Sequence, residues 1–126
     1  TKTKTKGTLR DFRKYDIWID GMELVNIIYK FAGDFPAKEK FSLSSQISRS
    51  AISIPSNIAE GASRTSEKDF ARFLEISLGS CFEIETQLRI AGKLKYIKNE
   101  DFEVVLEKII SLQKRIYRLR NKVLNN

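Results

Sequence analysis

The sequence predicts an all-α fold, an antiparallel up-down-up-down four-helix bundle, and three observations carry the prediction. Four runs of apolar residues recur at alternating spacings of three and four, the period of a helix with one buried face. The connections between them are short and hold the glycine, proline and polar residues that end helices. The chain has 126 residues, 41% of them hydrophobic, with six glycines and two prolines, which describes one folded domain over 1–126. An up-down bundle is the simplest arrangement that buries every stripe.

The first helix is predicted over about 16–32. Ile17, Gly21, Leu24, Ile28 and Phe31 form one stripe, and Trp18, Met22, Val25, Tyr29 and Ala32 lie beside it, giving a broad apolar face. "GDFPAKEK" at 33–40 then breaks the helix.

The second helix is predicted over about 42–64, and it contains "SAISIPSNIAEGAS" at 50–63. Ile47, Ala51, Ile54, Ile58 and Ala62 keep helical phase across Pro55, so the helix is expected to kink there rather than stop. A proline in a helix interior removes one backbone hydrogen bond and crowds the preceding turn, at about 3 kcal/mol, so tertiary packing must hold it. Close packing of Ala51 and Ala59 is the expected support. Gln46, Ser50, Ser53, Asn57, Glu60 and Arg64 form a second, polar stripe. It reads as a solvated face, with a buried network or a binding surface as alternatives. Asn57 and Glu60 flank the bend, where freed carbonyls need donors.

The third helix is predicted over about 66–91. Ser66 precedes Asp69 by three residues in a capping pattern. Phe70, Leu74, Ser77, Cys81, Ile84, Leu88 and Ala91 then follow heptad spacing to Gly92. Phe73, Ile76, Leu78 and Phe82 lie off this stripe. They are expected to form a subunit interface, the alternative being a helix deep in its own bundle.

The fourth helix is predicted over about 99–124. Acidic Glu100, Asp101 and Glu103 suit its positive end, and Phe102, Val105, Ile109, Leu112, Ile116, Leu119 and Val123 form its stripe.

The absence of histidine excludes serine–histidine triads, histidine-ligated zinc and di-iron bundle sites. No Walker A loop or Gly-x-Gly-x-x-Gly turn occurs. Glu83 and Glu85 stand two apart on a helix and cannot face each other. Cys81, the only cysteine, falls on an apolar stripe and reads as core filling. No apolar run of about 18 residues occurs, nor the apolar core of a secretory signal. The expectation is a cytoplasmic, non-enzymatic protein with no membrane contact, no metal and no cofactor.

The formal charge of +7 is concentrated at the two ends. In the basic arm at 1–14, Lys2, Lys4, Lys6, Arg10, Arg13 and Lys14 oppose only Asp11, a net of +5. Residues 113–126 carry Lys114, Arg115, Arg118, Arg120 and Lys122 unopposed, another +5, which leaves 15–112 at −3. One or two cations complement the negative end of a helix; five in nine residues exceed that need. An antiparallel bundle brings the two ends to one pole. Arg10, Arg13, Lys14, Lys114, Arg115, Arg118, Arg120 and Lys122 are therefore the candidate phosphate contacts. Tyr117 is either a stacking ring or a core-edge aromatic.

"DFRKYDIW", "FP" at 35–36, "SIPSNIAEG" at 53–61, and "EIETQL" at 83–88 followed by "YI" together resemble the 23S rRNA intervening-sequence protein family, the S23-type four-helix bundle proteins. The resemblance implies a bundle, a ring-like homo-oligomer that is a pentamer, and an association with RNA biology. That family is distantly similar in fold to the accessory variability determinant protein of diversity-generating retroelements, a pentameric barrel that binds nucleic acid and a reverse transcriptase. Pro55, Asn57, Glu60 and Gly61 belong to the shared signature and fit a fold role at least as well as a binding one. The leading functional reading is an oligomeric module that binds structured RNA, or DNA, through a basic pole. The alternative is a protein scaffold or adaptor for a nucleic-acid enzyme such as a reverse transcriptase.

Overall fold

The computed structural model describes residues 9–125. Lys2, Lys4 and Lys6 of the basic arm lie outside them. A 3-10 turn at Phe12–Lys14 precedes helix α1 (Asp16–Asp34). A second such turn at Ala37–Glu39 leads into α2 (Leu43–Ala62), followed by α3 (Glu67–Lys93) and α4 (Asn99–Leu124). The described residues contain no strand.

Each helix packs antiparallel to the next, because successive contacts run in opposite order along the two partners: Gly21–Ile54 then Ala32–Ser44, Ile54–Ser77 then Gly61–Phe73, and Glu75–Arg120 then Glu85–Gln113. Ser44 Oγ on α2 donates to Ala32 O on α1 at 3.2 Å. Ser77 Oγ on α3 donates to Ile54 O on α2 at 2.7 Å. Gln113 on α4 donates to Glu85 on α3 at 2.8 Å. The core they enclose is made of the predicted stripes: Ile17, Leu24 and Ile28; Ile47, Ala51, Ile54 and Ile58; Phe70, Leu74, Ile84 and Leu88; Val105, Ile109, Leu112 and Ile116. Each of these side chains other than Ala51 contributes roughly 1.5–3 kcal/mol on burial. Cys81 is fully buried among them, and burial pushes its thiol up to about 12.

Helix α2 runs unbroken through Pro55. Gly21 of α1 packs against the proline turn: a Cβ built there would stand 3.6 Å from Pro55 Cβ and Cδ and 3.4 Å from Ile54 Cγ2. From the other side, the fully buried Ser77 hydroxyl binds the carbonyl of Ile54. A glycine on α1 and a serine on α3 thus clasp the proline turn. Ala51 is buried as expected, but Ala59 is only half-buried, because the close approach to α3 falls two residues later, at Gly61. There, a Cβ on Gly61 would lie 2.6 Å from Phe73 Cβ.

Three helix ends differ from expectation, and α2 is the one that stops early, at Ala62 rather than 64, where Ser63 N–H turns back to Glu60 O. Helix α1 continues through Gly33 to Asp34, since Gly33 keeps helical geometry until Phe35 turns into the core. Helix α3 continues through Gly92 to Lys93. Its terminating residue is Lys95, in the left-handed region at φ 64°, where Tyr96 N–H reaches Ala91 O and Lys95 N–H reaches Gly92 O. These two bonds form the Schellman closure that usually calls for glycine.

Candidate nucleic-acid interface

The start of α1 and the end of α4 share a pole, and the eight candidate cations divide there into committed and free groups. Arg10 is committed. Its guanidinium donates to the carbonyls of Ala62 and Arg64 at the end of α2, pairs with Glu67 at 3.0 Å, and lies 4.5 Å from the Phe70 ring centre. With 18% of its side chain exposed, Arg10 ties the arm to the α2–α3 turn and has no free donor face for phosphate. Tyr15 packs beside it on Phe70, and burial raises the Tyr15 pKa.

Arg115 is also committed. It bridges Asp16 and Asp20 on α1, each at 2.8 Å. Burial lowers its pKa while the two aspartates raise it, and the net shift is upward. Arg120 turns the other way around α4 and pairs with Glu75 on α3 at 2.6 Å. Arg13 pairs with Asp11 within the arm at 3.1 Å, and this hydrogen bond holds the Asp11 carboxyl below its usual range. Arg13 also lies over Phe12.

Lys14, Lys114, Arg118 and Lys122 are exposed and form no ion pair among the described residues. Three of them stand at i, i+4 and i+8 on α4, a single outward row with about 6 Å between successive positions along the axis. Tyr117 sits on the same helix, about half exposed, between Gln113 and Arg120, which both reach α3. The neutralising carboxylates could not be found from local sequence, because every interhelical pair joins residues tens of positions apart.

The signature residues divide similarly. Pro55 and Gly61 are buried at helix contacts. Asn57 donates to the carbonyl and hydroxyl of Ser53 at 2.8 and 2.9 Å, so it holds the turn preceding it. Glu60 is exposed and pairs with Arg64 at 3.1 Å. The polar stripe of α2 is therefore partly a network, which Ser80 of α3 extends to Ser53 at 2.8 Å. Sequence reasoning placed Ser77 on the buried stripe of α3 without its bond to α2, and it missed Ser80, a second polar residue buried there.

Of the four residues assigned to a subunit interface, Phe73 is buried in its own chain between Gly61 and the guanidiniums of Arg64 and Arg72. It is not surplus: Gly61 makes room for it. Ile76 and Phe82 are exposed, and Leu78 is half-buried. Among the described residues no group of histidine, cysteine and acidic side chains could hold a metal ion, and no helix is long and apolar enough to cross a membrane.

Fold and surface together define a helical-bundle protein with a row of exposed cations on α4. The chain belongs to the 23S rRNA-intervening sequence protein family, whose model matches residues 13–118. A solved structure similar to it is the crystal structure of a protein of unknown function from the S23 ribosomal protein family of Bacteroides thetaiotaomicron. That protein is 26% identical, with a TM-score of 0.77 over 83% of this chain and 95% of the other. No curated protein matches the chain.

Proposed function

We propose that this protein is a non-enzymatic, homo-oligomeric module that holds structured RNA by its phosphates. The observation that carries the reading is the row Lys114, Arg118 and Lys122, three exposed cations on one face of α4 that the fold leaves unneutralised while it pairs Arg115 and Arg120 on either side. Lysine and arginine contacts to phosphate give affinity without base information. Lys14 at the start of α1 extends the same pole.

An oligomer multiplies so small a row into several. Two apolar faces on opposite sides of the bundle support assembly. Met22, Tyr29 and Ile52 are exposed on the α1–α2 side; Phe82 and Tyr117 are exposed on the α3–α4 side, between the Glu75–Arg120 and Glu85–Gln113 contacts. Unlike faces suit a head-to-tail contact, which closes into a ring when the rotation permits. A pentamer is the ring that the family resemblance suggests.

The second reading, a scaffold for a nucleic-acid enzyme, draws on the same apolar faces and on the neutralisation of Arg10, Arg115 and Arg120. Direct binding separates the two. Replacing Lys114, Arg118 and Lys122 together with glutamine is expected to weaken binding to a structured RNA. It is also expected to flatten the dependence on the logarithm of salt, by about 0.9 in slope for each duplex phosphate that the variant no longer neutralises. Equal affinity of wild type and variant, or no binding at about 50 mM salt, would favour the scaffold.

A further inference from the structure

The polar stripe of α2 opens toward α3 into a groove of about 520 Å³, lined by Phe41, Gln46, Arg49, Ser50, Glu83 and Gln87 among others. Further along the stripe, Ser53, Asn57 and Ser80 satisfy one another. In the groove Arg49 donates to the Ser45 hydroxyl and Ser50 to the Gln46 carbonyl, while the Glu83 and Gln87 side chains make no hydrogen bond among the described residues. Phe41 is 89% exposed, the most exposed large apolar side chain among the described residues, with Lys40 Nζ 5.4 Å from its ring centre. Gln87 has an enclosed Oε1 with no hydrogen-bond partner there. Arg49 and Glu83 are exposed and form no ion pair within the described chain.

These groups ask for complementary chemistry. A bare ring takes a π-face, an unpaired guanidinium takes an anion, and a carboxylate beside an amide oxygen takes two neighbouring N–H donors. Guanine presents adjacent N1–H and N2–H donors on its pairing edge; uracil presents one, and adenine and cytosine each present a single amino group. The pairing edge is free only in an unpaired nucleotide. The last torsion of glutamine is soft, so the Gln87 amide can turn toward an occupant without moving α3.

We infer that the α2–α3 groove is a pocket for one unpaired guanine nucleotide. Phe41 stacks on the base, Glu83 and Gln87 accept from its pairing edge, and Arg49 holds its phosphate. The pocket shares no residue with the cationic row of α4.

The test is calorimetric titration of the full chain with GMP and with UMP. GMP is expected to bind at least about tenfold tighter than UMP, and Phe41→Ala to weaken GMP by about tenfold, the loss of one base stack. Gln87→Leu is expected to reduce GMP to the UMP level. If circular dichroism shows that this variant misfolds, the exposed Glu83→Gln provides the same reading. Glutamine at 114, 118 and 122 is expected to leave GMP affinity unchanged, so the pocket and the row stand or fall separately. Equal affinities for GMP and UMP, no GMP binding at millimolar concentration, or an unchanged GMP affinity in Phe41→Ala would overturn the proposal. A changed assembly mass in Phe41→Ala with GMP affinity intact would also overturn it, and would assign the ring to a contact between copies.

Discussion

Two glycines in helix interiors should respond to alanine with opposite sign. Gly79 on α3 is exposed, and a Cβ built on it meets nothing within 4 Å. Gly79→Ala should therefore show only the helix-propensity gain, about 1 kcal/mol of stabilisation. Gly61 on α2 has the same propensity to gain, but its Cβ would stand 2.6 Å from Phe73 Cβ and 3.1 Å from Phe70 Cδ1. Carbon atoms pack best at about 3.5–4.0 Å, so the contact is short by about 1 Å. Phe73 Cβ is fixed to the α3 backbone and cannot swing away, so the two helices must part. Overpacking costs roughly 1–3 kcal/mol, and two backbone-fixed groups about 1 Å too close place this contact in the upper part, about 2–3 kcal/mol. The net expectation for Gly61→Ala is a loss of about 1–2 kcal/mol, and the two variants should differ by about 2–3 kcal/mol. Urea denaturation followed by circular dichroism measures this, as a midpoint separation of about 1–2 M at an ordinary slope. If Gly61→Ala is as stable as wild type, or moves with Gly79→Ala, the reasoning about the α2–α3 contact is refuted.

Other substitutions test other parts of the account. Arg10→Ala should lower stability by about 1–3 kcal/mol, because it removes charged hydrogen bonds to the end of α2 and the pair with Glu67. It should leave RNA affinity unchanged; a loss of affinity in a fully folded variant would return Arg10 to the phosphate contacts. Lys95→Gly should raise the melting temperature, since the left-handed geometry at φ 64° costs a non-glycine residue about 1–2 kcal/mol. Cys81 predicts an alkaline dependence. Its folded thiol titrates at about 12 against 9.0 for a free one, so its contribution is constant below pH 9 and falls as pH rises toward 12. The loss should be about 1.4 kcal/mol by pH 10. Denaturation midpoints of wild type and Cys81→Ala compared at pH 8 and 10 check this, and equal pH dependence would contradict it.

Helix number, helix order and the core residues were readable in the sequence because a buried face repeats with the period of the helix itself. Ile47 through Ala62 stay in phase across Pro55, and α2 is indeed one helix. Gly92 does not stop α3 because glycine tolerates a helix interior, whereas the left-handed turn falls on a lysine, which carries no such signal. Phe73 looks like surplus by its distance from the heptad stripe, until Gly61, twelve residues earlier and on another helix, supplies the space.

The candidate site divides at the same boundary. Sequence alone determined that cations gather at both ends and that the bundle brings those ends to one pole, since charge is a property of composition and helix direction follows from connection length. Only the tertiary structure decided which of those charges remain available. Asp16 and Asp20 take Arg115, Glu75 takes Arg120, and Glu67 with the end of α2 takes Arg10. Each pairing joins different elements of the chain, and a charge's availability depends on what stands within a few ångströms of it, a distance that local sequence does not encode.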